Sequence, residues 1–142
     1  MPLTTERDTK KLGERAEPEL LELAVGDAET IYQGALVCLD ATGYAVPGAT
    51  ATTLTAVGRA EATVDNSAGA DGDKTVKVRR GVFKFANSAG GDEIVQADLL
   101  TTNCYIVDDE TVAKTDGTST RSAAGKVYGI DSDGVWVGVG MS

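Results

Sequence analysis

Apolar and polar residues alternate along most of this chain in short runs, and turn-forming residues separate them. In LLELAV, residues 20–25, Leu21, Leu23 and Val25 fall on one face of an extended strand. Gly26-Asp27 turns the chain into TIYQGALVCLD, and Ala41-Thr42-Gly43 leads to YAV and a Pro47-Gly48 loop. LTAVGRAEATVD predicts one longer strand with a bulge at Gly58. DNSAGADGD reads as a polar, glycine-rich loop. TVKVRRGVFKF, CYIVDD, TVAK, GKVYGID and GVWVGVG complete the strand-like runs, and Asp108-Asp109-Glu110 makes an acidic turn between CYIV and TVAK. Asp131-Ser132-Asp133-Gly134 is a hairpin turn in which Gly134 is expected to supply a positive φ. Gln96 to Leu100 is the only helical candidate, and no fixed-period repeat is present. This pattern predicts an all-β fold: a compact β-sandwich or barrel-like domain of about 8–10 short strands.

The first 19 residues follow a different pattern. They are dense in charge and broken by Pro2, Gly13 and Pro18, and Leu3, Leu12 and Ala16 do not form a stripe wide enough to bury. Residues 1–19 are therefore expected to form an extended N-terminal arm, and residues 20–142 the β-rich domain. Spaced leucines among mixed charge suit a segment that orders on a partner. Leu3, Arg7, Lys10, Lys11, Leu12 and Arg15 are its candidate contact residues. A disordered leader is the plainer alternative.

The run KVRRGVFKF, residues 77–85, gathers four of the chain's 13 Lys and Arg residues. Val76 and Val78 share one face, with Lys77 and Arg79 on the other; beyond Gly81 the parity reverses, and Phe83 and Phe85 fall on the Lys77 side. A β-bulge at Arg80-Gly81 is expected to restore a single apolar face. The basic residues then solvate a bent strand, with Glu61, Asp65, Asp71, Asp73, Asp92 and Glu93 as pairing candidates. A dedicated anion-binding surface carrying Lys77 and Arg79 is the sharper alternative.

Composition narrows the function further. A net charge of -9 and a pI near 4.4 argue against nucleic acid and anionic membranes as partners. The start of the chain has no apolar segment after its charges, so it does not read as a signal peptide. The apolar fraction of 42% is mostly Ala and Val with seven aromatic residues, a thin core that self-association would supplement. Cys38 and Cys104 each sit in an apolar run and read as reduced core residues, a disulfide between them being the alternative. There is no histidine, which removes the Ser–His and Cys–His nucleophile pairs and the commonest zinc ligand. DNSAGADGD lacks the glycine and glutamate spacing of a calcium loop. Trp136, in an alternating terminal strand, is expected in the core. No cofactor, no metal site and no enzymatic activity are expected.

GALVCLDATGYAVP, VGRAEATVDN, KTVKVRRGVFKFANSA, YIVDDETVAKTDGTSTRSAAGKV and IDSDGVWVGV follow one another along the chain. In order and spacing they resemble the small head decoration, or capsid cement, proteins of tailed bacteriophages and prophages. The resemblance runs from about Gly26 to the C-terminus, some four-fifths of the chain. It implies a compact β-rich domain with an N-terminal arm and no catalytic residues. It also implies a virion protein made in the bacterial cytoplasm and placed on the outer surface of the head. Its expected partners are the major capsid protein and further copies of itself, as a homotrimer. The rival expectation is a β-sandwich adhesion or carbohydrate-binding module displayed on a particle, which requires a surface aromatic cluster.

Overall fold

A computed structural model describes residues 5–6, 20–101 and 103–140. The fold is all-β. Twelve strands are found among the described residues, in the order β1 (Leu20–Ala24), β2 (Thr30–Ile31), β3 (Leu36–Leu39), β4 (Ala45–Pro47), β5 (Thr55–Ala60), β6 (Val64–Asp65), β7 (Thr75–Arg79), β8 (Gly81–Asn87), β9 (Asn103–Ile106), β10 (Thr111–Ala113), β11 (Ala123–Asp131) and β12 (Gly134–Val139). Short 3-10 turns at Gly90–Asp92 and Gln96–Asp98 are the only helical pieces described, the second of them where the sequence places one.

Three of the strand-like runs break in two, which raises the count above the expected range. TIYQGALVCLD divides into β2 and β3 around a turn at Gly34, where φ is +91°. LTAVGRAEATVD divides into β5 and β6, which belong to different sheets. TVKVRRGVFKF divides at Arg80. The expected bulge at Arg80-Gly81 is therefore corrected: Gly81, with φ +152°, marks the crossing from one sheet into the next. The parity reversal is real, and it is absorbed by a change of sheet instead of an inserted residue.

β1-β7-β5-β3-β4 form a five-stranded sheet, with β1 and β4 at its edges. A single parallel bridge, Val25 to Ala45, ties those edges together at one end, reinforced by Gly26 N–H donating to the Ala45 carbonyl at 2.9 Å. β10-β8-β12-β11-β9 close into a barrel, so the architecture is barrel-like and not a sandwich. β2 and β6 make a two-stranded cap.

Two apolar clusters fill this frame, and β3 is the wall between them. Leu36 and Cys38 point into the barrel cluster with Ile106, Val112, Val135 and Val137. Val37 points the other way, into the sheet's cluster with Val25, Ala45, Val76 and Val78. A strand buried on both faces has no polar side to show, which is why LVCL lacks alternation. Cys38 and Cys104 are both buried free thiols in the barrel cluster, as reduced core residues should be. Burial pushes both thiols up to about 12.

The glycines explain two close approaches. Gly58 is at the expected bulge in β5, where the register to β3 slips between Val37↔Gly58 and Cys38↔Ala56. The hairpin joining β11 to β12 also forms as expected, through Ser132-Asp133. Gly134, however, is not at positive φ. Its role is space: a Cβ there would lie 2.8 Å from Cγ of Lys84 and 2.9 Å from the Phe85 carbonyl oxygen.

Candidate functional site

The basic run resolves into three environments. On β7, Lys77 is exposed and sits across from Glu22 of β1, while Arg79 sits across from Leu20. Arg79 Nε donates to Glu61 Oε1 at 2.7 Å, and Arg59, its neighbour on β5, donates to Glu61 Oε2 at 2.5 Å. Glu61, a pairing candidate from the sequence, thus bridges two guanidinium groups. Arg80 Nε donates to the Gly140 carbonyl at 2.5 Å. On β8, Lys84 pairs with Asp131 at 3.1 Å and Asp133 at 2.5 Å. Those two partners were not among the sequence candidates, because they lie on a hairpin some fifty residues away.

Four of the other acidic candidates, Asp65, Asp71, Asp73 and Asp92, serve elsewhere. Asp65 accepts from the Ser67 N–H and Thr30 hydroxyl, Asp71 from the Asp27 N–H, and Asp73 from the Ala70 N–H. Those carboxylates pin the 65–73 loop to itself and to the neighbouring turn. Asp92 accepts from the Thr115 hydroxyl and pairs with Arg121 at 3.4 Å, stapling two loops. Among the described residues, no three Cys, Asp or Glu side chains converge as a metal site. Leu3, Arg7, Lys10, Lys11, Leu12 and Arg15 lie outside the described residues. Leu20, the first residue of β1, is described: it is 42% exposed and is the register partner of Arg79.

The expectation that Trp136 packs in the core is overturned. It is 40% exposed, on the outer face of β12, whereas Val135, Val137 and Val139 point inward. Its indole N–H donates to Asp131 Oδ2 at 3.2 Å, and Lys84 Nζ lies 5.6 Å from the ring centroid. Gly129 is its partner on β11 and Lys84 its partner on β8. Arg59 stacks over Phe83 at 4.4 Å. Arg59, Phe83, Lys84 and Trp136 line a groove of about 500 Å³ where the five-stranded sheet meets the barrel, walled by Gly34 and Arg59 on one side and by Val82 to Phe85 and Trp136 on the other. The signal was present in the sequence. In GVWVGV strict alternation sets Trp136 opposite three valines, and hydrophobicity alone hid it.

The ion pairs leave a signature in acid. Glu61 titrates below the usual carboxylate range because Arg59, and then Arg79, hydrogen-bond it. Asp131 is lowered by hydrogen bonding with the Asp133 side chain and by Lys84, and Asp92 by Thr115 and Arg121. Burial raises Glu29, with the Asp40 charge adding to it. A carboxylate lowered by folding stabilises fully above its unfolded pKa, and that contribution is lost as pH falls through the folded value. Glu29 acts in the opposite sense, but it is one group against several. The thermal midpoint is expected to hold between about pH 7 and 5 and to fall below about pH 4. Scanning calorimetry across that range checks it; a midpoint that rose on acidification would contradict the pairing described.

No family model, no curated protein and no solved structure matches this chain. No helix among the described residues is long and apolar enough to cross a membrane.

Proposed function

We propose that the chain is a structural decoration protein of a tailed-phage head. It binds the outer surface of the expanded capsid as a homotrimer and bridges adjacent capsomers of the major capsid protein. The observation that carries this reading is the pairing of Leu20, the first residue of β1, with Arg79 of the basic pair. Leu20, where residues 1–19 enter β1, is the register partner of Arg79, and Lys77 stands two residues along β7, the strand next to that edge. The segment that carries the other candidate contact residues leads into β1, the strand paired with the one that carries Lys77 and Arg79. The β1–β7 margin is built on an edge strand, β1, which is a template for pairing with another chain. Behind it stands a closed barrel with no edges of its own, suited to passive load-bearing. The resemblance of the sequence segments, in their order and spacing, to head decoration proteins supports the same reading.

The test is addition to undecorated, expanded capsids. The full chain is expected to bind saturably. Deleting residues 1–17 should leave the far-ultraviolet circular dichroism β-like while weakening addition. Replacing Lys77 and Arg79 with Gln should change stability by less than about 1 kcal/mol, because both are at the surface and Glu61 keeps Arg59. The same double variant should add to capsids more weakly and with a flatter salt dependence. Failure of the full chain to add would refute the proposal. Unchanged addition by both variants would refute the β1–β7 margin as its contact.

A further inference from the structure

The groove between the sheet and the barrel uses different residues from the β1–β7 margin, and its chemistry is different. Two cations lie over two aromatic rings, Arg59 over Phe83 and Lys84 over Trp136. Each cation already has its counter-charge: Glu61 for Arg59, Asp131 and Asp133 for Lys84. The groove therefore presents charged donors beside an exposed indole, each donor matched by carboxylates around the groove. We propose that this groove binds a neutral saccharide, one sugar ring stacking on Trp136 while Lys84 and Arg59 hydrogen-bond its hydroxyls.

Three observations favour this ligand class. First, a pyranose has a face of C–H groups, which suits the negative face of an aromatic ring, and a rim of hydroxyls that both donate and accept. The groove supplies both halves of that pattern. An ionic ligand gains little, because each charged head it would meet is already paired.

Second, the indole is held in place before any ligand arrives. Its N–H is bonded to Asp131, and Gly129 leaves its edge uncrowded: a Cβ there would sit 3.2 Å from Cδ1. A preset platform spares the ligand the ordering cost of a mobile side chain. Third, the groove does not suit a peptide. β8 is already paired with β10 and β12, and β12 with β8 and β11, so neither has a free backbone edge for strand addition. The charged heads also interrupt the apolar surface that an amphipathic helix needs. A volume of about 500 Å³ falls within the range of small-molecule clefts and admits a short oligosaccharide.

Trp136 is the chain's only tryptophan, so intrinsic fluorescence reports on the groove alone. The full chain is screened on an array of neutral gluco-, galacto-, manno- and N-acetylglucosamine oligosaccharides, with sialylated and sulfated glycans beside them. Binding oligosaccharides are then titrated in solution. The expected result is saturable binding of a neutral oligosaccharide with a change in tryptophan emission. Trp136→Ala should weaken that binding about tenfold or more, Trp136→Phe should recover part of it, and Lys84→Gln should weaken it severalfold. Trp136→Ala should still add to capsids, which separates this inference from the decoration reading. Absence of any neutral binder, binding confined to charged glycans, or undiminished binding by both Trp136→Ala and Lys84→Gln would overturn it.

Discussion

Replacing Gly58 with alanine is expected to lower stability by more than about 3 kcal/mol, a fall in thermal midpoint of roughly 10 °C or more. Two effects add at this position. The backbone is at φ +158°, which L side chains rarely adopt. A Cβ would also run into the Arg79 carbonyl and lie 2.6 Å from Cγ1 of Val78, on the strand paired with β5. Neither neighbour can retreat, since Val78 is fully buried and the backbone of β7 is held by β1 and β5. Gly81 gives the contrast. Its φ of +152° brings similar strain, but the nearest atom to its Cβ position is Phe83 Cζ at 3.5 Å, an ordinary contact. Gly81→Ala should therefore cost only about 1–2 kcal/mol. Urea denaturation of the two variants decides this; a Gly58 variant as stable as the Gly81 variant would show that the close approach to β7 was misjudged.

Leu36→Ala should be nearly as damaging, at about 2–5 kcal/mol. Leu36 is fully buried and fills the barrel cluster, although its strand belongs to the five-stranded sheet. Its backbone also spans the two halves: its N–H donates to the Asp109 carbonyl at 2.8 Å, and its carbonyl accepts from Gly48 at 2.8 Å. Truncation leaves a cavity at that seam, and a packed interior relaxes into such a space only in part. Leu20→Ala, on the exposed end of β1, should change stability far less, because little burial is lost. Denaturant titration followed by both tryptophan emission and circular dichroism measures the difference. A loss below about 1 kcal/mol for Leu36→Ala would mean that β3 is not the shared wall.

These two positions show how unevenly the fold could be read beforehand. The bulge at Gly58 was visible, since a glycine inside an alternating run breaks the packing of that run. The apolar run ALVCLD was visible too, but not the reason for it. A strand buried on both faces and a strand merely rich in apolar residues look alike until the second layer is known.

The candidate surfaces divide in the same way. Lys77 and Arg79 are outward because their parity is opposite to Val76 and Val78, and that is local. Trp136 is equally legible from parity, because its position opposite the inward valines outweighs the pull of its hydrophobicity toward the core.

The all-β class, most turns, the inward valines and the outward basic residues are all legible along the chain. Each of these follows from period two and from the backbone preferences of a few neighbouring residues, which act over short range. Three features appear only once the chain is folded: the 77–85 run changes sheets, one sheet closes into a barrel, and Lys84 pairs with Asp131 and Asp133 beside an exposed indole. Strand pairing joins residues that are distant along the chain, and many registers satisfy the same alternation. The choice among them is made by how two apolar layers fill a common interior, and a strand read alone has no second layer to fill.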